Sequence, residues 1–98
     1  MSLDDALPKE AVLVQVYGIV QGVGFRYAAQ AQARKLGVVG WVKNCHDGSV
    51  EVYAEGNPAK LSKLISWLHH GPPAATVDRV QLTRVRPIGS FHRFSIEY

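Results

Sequence analysis

GIVQGVGFR, residues 18–26, is the stretch around which the rest of the chain is organised. It reads as a strand end, a glycine-rich turn and the start of a helix, with Gly22 and Gly24 able to take positive φ. Such a turn can aim successive backbone N–H groups into one concavity. The helix that follows adds its positive end, so the place suits a phosphate. Arg26 carries the planar fork of donors that could close over the anion. Taken alone, the signal is weak: glycine-rich turns are common, and an arginine at a helix start can simply be solvated.

A second stretch, GWVKNCHDGSVEVYAEG at residues 40–56, reads as two strands joined by a tight turn at Asp47-Gly48. Asn44 sits at the bend. Its amide could satisfy the turn's own backbone, or it could face solvent or a ligand.

Working outward, residues 1–10 are polar and contain Asp4, Asp5 and Pro8, which predicts a loose arm ahead of one domain at 11–98. Val12, Val14 and Val16 alternate with Leu13, Gln15 and Tyr17, the pattern of a strand with one apolar face. Phe25, Ala28 or Ala29, Ala33 and Leu36 recur at helical spacing up to a stop at Gly37. Strands are expected at 38–43 and 49–55. Asn57-Pro58 then opens a second helix whose stripe is Leu61, Leu64, Ile65 and Leu68. A fourth strand at 77–86 changes apolar parity between Leu82 and Val85, suggesting a bulge or a shift of face. A short strand at 94–97 closes the chain.

The order βαββαβ plus a last strand predicts an α+β, ferredoxin-like sandwich: a mixed, largely antiparallel sheet covered on one face by two helices. In that plan the first two strands run parallel, with the third between them. The loop after strand one and the bend after strand two therefore face each other, bringing Arg26 and Asn44 to one edge of the sheet.

Composition bounds the function classes. Ninety-eight residues suffice for one modest core, and 47% apolar with 19% charged residues describes a globular chain. No apolar run approaches the roughly 20 residues of a membrane span, and no signal-peptide pattern is read, so no membrane partner and a cytoplasmic location are expected. Cys45 is the single cysteine, so neither an intrachain disulfide nor a cysteine zinc site is available. The net charge of +3 is small and scattered, which suits a small phosphorylated metabolite at least as well as nucleic acid.

The two stretches together resemble the paired signatures of the acylphosphatase family, with the glycines, Val20, Gln21, Val23, Phe25, Arg26, Trp41, Asn44 and Val50 in place. Two motifs in the right order are far more specific than either alone. The resemblance implies hydrolysis of carboxyl phosphates to a carboxylate and inorganic phosphate, with no metal, no cofactor and no covalent intermediate. It implies that the backbone N–H groups of Gln21, Gly22, Val23, Gly24, Phe25 and Arg26 cradle the phosphoryl oxygens, that the Arg26 guanidinium binds them, and that Asn44 holds the attacking water. A monomer acting on a small acyl phosphate, without nucleic acid, is the expected form.

Other features carry less. Cys45 and His46 are neighbours in extended chain and point to opposite faces. His69-His70 lacks the i, i+3 or i+4 spacing of helical metal ligands, and His92 has no sequence partner. Trp41 and Trp67 read as packing residues. If the last strand ran antiparallel to the fourth, the Tyr98 carboxylate would lie near Arg26. Two other functions stay in view: an RNA-binding module of the same plan, although GVGFRY at residues 22–27 falls on a loop and helix rather than on a strand, and a domain serving a larger assembly, as in hydrogenase maturation proteins that use carbamoyl phosphate.

Overall fold

A computed structural model describes residues 9–98 of the chain. The elements are β1 (Glu10–Ile19), α1 (Phe25–Leu36), β2 (Val39–Asn44), β3 (Val50–Gly56), α2 (Pro58–Leu68), β4 (Thr76–Val85) and β5 (Phe94–Glu97), an α+β, ferredoxin-like arrangement. Most of the N-terminal arm lies outside the described residues. At its inner end, Glu10 already pairs with Gly56, so β1 begins on the residue expected to end the arm, one before the expected start of the domain.

The five strands form one sheet in the order β4-β1-β3-β2-β5. β3 is antiparallel to both β1 and β2, which makes those two parallel to each other. Val16 pairs with Val50, and Val50 with Asn44, so these three residues share one row near the carboxyl ends of β1 and β2. β5 joins the edge beside β2, parallel to it, and not the edge formed by β4. It nonetheless runs toward the same end of the sheet as β1 and β2.

Period-two alternation places Val12, Val14, Val16, Val42, Val50, Val52, Ala54 and Phe94 in one core with Phe25, Ala29 and Ala33 of α1 and Leu61, Leu64 and Leu68 of α2. Each fully buried valine, leucine or phenylalanine contributes about 1.5–3 kcal/mol by leaving water. Asn57 caps α2, its side-chain oxygen accepting from the Ala59 and Lys60 N–H groups at 2.9 and 3.3 Å. Gly37, at φ 72°, ends α1.

The parity change in β4 is a shift of face without a break. Leu82 pairs with Val14 on the helical side and Val85 with Ala11 on the other, in continuous register. The irregularity lies at the opposite end, between Tyr17 and Gly18 of β1. There Gly18, at φ 134°, sits so close to β4 that a Cβ would fall 2.1 Å from the Thr76 carbonyl oxygen.

The second face of the sheet is partly covered too. Tyr53, buried on that face, stacks on Trp41 and meets Phe91 at a tilt, with ring centroids 6.1 and 5.3 Å away. The buried Glu55 carboxylate accepts from the Tyr53 hydroxyl at 2.7 Å and from the Ile88 and Gly89 N–H groups at 3.1 and 3.2 Å. This ties the segment after β4 across β3. Trp67 packs on Phe25 at 5.5 Å, so both tryptophans serve packing as expected.

Candidate functional site

Three apolar side chains shape the loop between β1 and α1. Val20 and Phe25 are buried, and Val23 packs against the core from between them. Gly22 and Gly24 are exposed and take φ 76° and 79°. An added Cβ would meet nothing within 4 Å at either glycine, so conformation rather than crowding demands them. The chain thus anchors three side chains inward and turns left-handed between them.

α1 begins immediately after Gly24. No side chain caps it and its first turn has no acidic residue; its first turn closes with Ala28 N–H donating to the Gly24 carbonyl at 3.0 Å. The positive end of a 12-residue helix therefore opens at the loop. Arg26, half-buried, stands in that first turn.

Asn44 is the last residue of β2 and is exposed. It precedes a turn at residues 45–49 in which the Cys45 N–H donates to the Ser49 carbonyl at 2.8 Å and the Gly48 N–H to the Cys45 carbonyl at 3.1 Å. Asp47 braces the turn, accepting from the Ser49 N–H and hydroxyl at 2.9 and 2.5 Å. The hydroxyl bond, and then the backbone bond, hold the Asp47 carboxyl below its ordinary pKa.

Loop and turn are joined directly. The Gln21 amide donates to the Cys45 carbonyl at 2.8 Å and the Ser49 carbonyl at 2.9 Å. From β1, Gln15 Nε2 reaches the Ser49 hydroxyl oxygen at 2.7 Å and the Cys45 sulfur at 3.3 Å. The two expected motifs therefore meet at one end of the sheet, as the topology requires.

On the other side of Arg26, its guanidinium carbon lies 5.1 Å from the Tyr98 ring centroid. Tyr98 follows β5, whose Glu97 pairs with Lys43 beside Asn44, so β5 closes the same end. The expected approach of Tyr98 to Arg26 occurs through the ring. Among the described residues the ion pairs are Lys43–Glu51 and Arg84–Glu10, and the Tyr98 carboxylate makes none with Arg26. β5 lies parallel beside β2, which brings the chain after Glu97 to the end of the sheet where α1 begins. A hydrogen bond to Tyr27 raises the Tyr98 phenol above its ordinary pKa by favouring the protonated hydroxyl, with the Arg26 charge opposing.

In the sequence Gln21 is legible only as a backbone donor and Gln15 as the polar side of a strand, and their side-chain bonds are not. No spacing signals such bonds, because their partners lie 24 to 34 residues away. Among the described residues, no group of three or more His, Cys, Asp or Glu could hold a metal, and no helix is long and apolar enough to cross a membrane.

Comparison with known proteins points to one family. The acylphosphatase family model matches residues 12–96. An acylphosphatase of Yersinia pseudotuberculosis serotype O:1b is 52% identical over 93 residues, covering 94% of this chain and all of that protein. The crystal structure of acylphosphatase from Bacillus subtilis superposes with a TM-score of 0.87 at 42% identity, covering 91% of this chain and 99% of that one. An acylphosphatase structure from Coxiella burnetii also gives 0.87, at 33% identity over 99% of this chain and all of the other.

Proposed function

This chain belongs to the acylphosphatase family and is a hydrolase of acyl phosphates, and on that premise we propose that Arg26 and Asn44 carry the reaction on a phosphoryl group cradled by residues 21–26. The observation that supports this most is the meeting of the two motifs, with Gln21 of the loop bonded to the turn that follows Asn44.

An acyl phosphate already has a good leaving group. The enzyme needs mainly to hold the phosphoryl group, balance its charge and place water in line. The left-handed turns at Gly22 and Gly24 and the open start of α1 suit backbone N–H groups to the phosphoryl oxygens. The Arg26 guanidinium adds charge-assisted bonds to the same oxygens. Asn44 orients the water: its amide accepts from water and donates to phosphate at once, adding no negative charge beside an anionic substrate. Nothing in this route calls for a metal, a cofactor or a covalent intermediate.

The same reading takes the protein as a monomer acting on a small acyl phosphate in the cytoplasm, without nucleic acid. The aromatic pair in GVGFRY is divided between the core, which holds Phe25, and the helix surface, which holds Tyr27, so it offers no stacking platform on a strand.

The test is hydrolysis of benzoyl phosphate, followed by ultraviolet absorbance with EDTA present, for the wild type beside Arg26→Ala and Asn44→Ala. Removal of one aligned charge-stabilising donor lowers turnover by roughly 100- to 1000-fold. The expected result is rapid metal-independent turnover lost in both folded variants. Near-normal kcat in Asn44→Ala would remove it from the water-holding role.

A further inference from the structure

Arg26 and Asn44 reach the site from different elements, one from a loop and helix, the other from a strand end. Something must set the distance between the phosphoryl cradle and the water, because misplacement by about 1 Å can lower a rate by about 100-fold. The β2–β3 ladder ends at Asn44 and Val50, and beyond it the turn is closed by its own Cys45 N–H to Ser49 carbonyl bond.

The Gln21 side chain spans that gap. Its two acceptors, the carbonyls of Cys45 and Ser49, are the two ends of the turn, and the Ser49 carbonyl also accepts the Cys45 N–H that closes it. Both partners are acceptors, so only the amide NH2 can face them, and its two hydrogens match the two carbonyls one to one. Cys45 directly follows Asn44 in the chain. The bond therefore acts on the backbone unit next to Asn44.

We propose that the Gln21 side chain is a positioning residue, which holds the turn after Asn44 in register with the phosphate loop of which Gln21 is itself part. This rests on the reading of Asn44 as the holder of the attacking water. Gln15 grips the same turn differently, through the Ser49 hydroxyl and Cys45 sulfur only, and touches no backbone there. It is the natural control for a purely structural role.

The experiment compares Gln21→Met, which keeps the side chain's length and removes its donors, with Gln21→Ala and Gln15→Ala, each also in the Asn44→Ala background. Readouts are kcat and KM for benzoyl phosphate, inhibition by inorganic phosphate, and thermal midpoint. The expected result for Gln21→Met is a kcat lowered by about 10- to 100-fold, with KM and phosphate inhibition changed less than about threefold. Gln15→Ala lowers the thermal midpoint with kcat within about threefold.

In the Asn44→Ala background, Gln21→Met lowers kcat further by less than about twofold, since the residue it positions is gone. A folded Gln21→Met with normal kcat overturns the proposal. So does a full, multiplicative loss in the double variant, measured against the low residual kcat of Asn44→Ala. Near-normal turnover in Asn44→Ala alone would instead strike down the water-holding reading, and the positioning role with it.

Discussion

The Arg26 guanidinium carbon lies 5.1 Å from the centroid of the Tyr98 ring, joining the first turn of α1 to the chain that leaves β5. Arg26 can swing through many rotamers, and a ring on one side removes some of them before substrate arrives. A cation over an exposed ring is worth about 0.5–1 kcal/mol. Tyr98→Ala should therefore weaken inhibition by inorganic phosphate by roughly two- to fivefold, whereas Tyr98→Phe, which keeps a ring, should stay near the wild type. Equal losses in both variants would assign the effect to the hydroxyl and its bond to Tyr27.

Arg26→Lys should not restore the activity lost in Arg26→Ala. The ammonium keeps the charge but lacks the planar fork that meets two phosphoryl oxygens at once. Steady-state kinetics on benzoyl phosphate, with circular dichroism to show folding, checks this. Full activity in Arg26→Lys would remove the bidentate geometry.

The glycines separate conformational from steric need. Gly24→Ala places a side chain at φ 79° in open space, a strain of about 1–2 kcal/mol. Gly18→Ala would add a collision with the Thr76 carbonyl oxygen, 2.1 Å from the new Cβ, where β1 crosses β4. Urea unfolding should show Gly18→Ala to be clearly the more destabilised, while Gly24→Ala shows the greater loss of phosphate inhibition for its cost in stability.

Tyr53 and Glu55 should fail together. Burial raises the Tyr53 phenol above its ordinary pKa of 10.0, reinforced by its hydrogen bond to Glu55. A group whose folded pKa is raised contributes stability that is present below pH 10.0 and lost as pH rises through the higher folded value. Thermal midpoints should thus fall on the alkaline side of pH 10, and Tyr53→Phe should remove that contribution to the limb. Removing a hydrogen bond to a charged group costs about 1.5–3 kcal/mol, and urea unfolding near pH 7 measures it.

Asp47 acts on the acid side. Its carboxyl, bonded to the Ser49 hydroxyl and N–H, titrates below its ordinary 3.8. Its contribution is present above that value and is lost as pH falls through the lower folded value. Thermal midpoints measured from neutral pH down through this range should decline less steeply in Asp47→Asn than in the wild type. An unchanged acid limb would mean the turn is held by its backbone and Gln21 alone.

Local chemistry made much of this protein legible in its sequence. The alternation of Val12, Val14 and Val16 and the spacing of Phe25, Ala29 and Ala33 each follow from the geometry of a single element, and both stripes are buried as expected. Gly22 and Gly24 announced left-handed turns because only glycine takes them freely. From element order, chain connectivity placed Arg26 and Asn44 at one sheet end.

Tertiary structure alone decided how that end is fastened. Gln21 and Gln15 look like ordinary polar positions until the fold brings residues 45–49 against them, since a glutamine can bond any acceptor it reaches. The edge chosen by β5 belongs to the same class. Four residues, Phe94–Glu97, could pair at either side of the sheet, and their place beside β2 turned the Tyr98 ring, not its carboxylate, toward Arg26. The parity change in β4 read as bulge or face shift from the sequence; register against β1 settled it, because pairing depends on both strands at once.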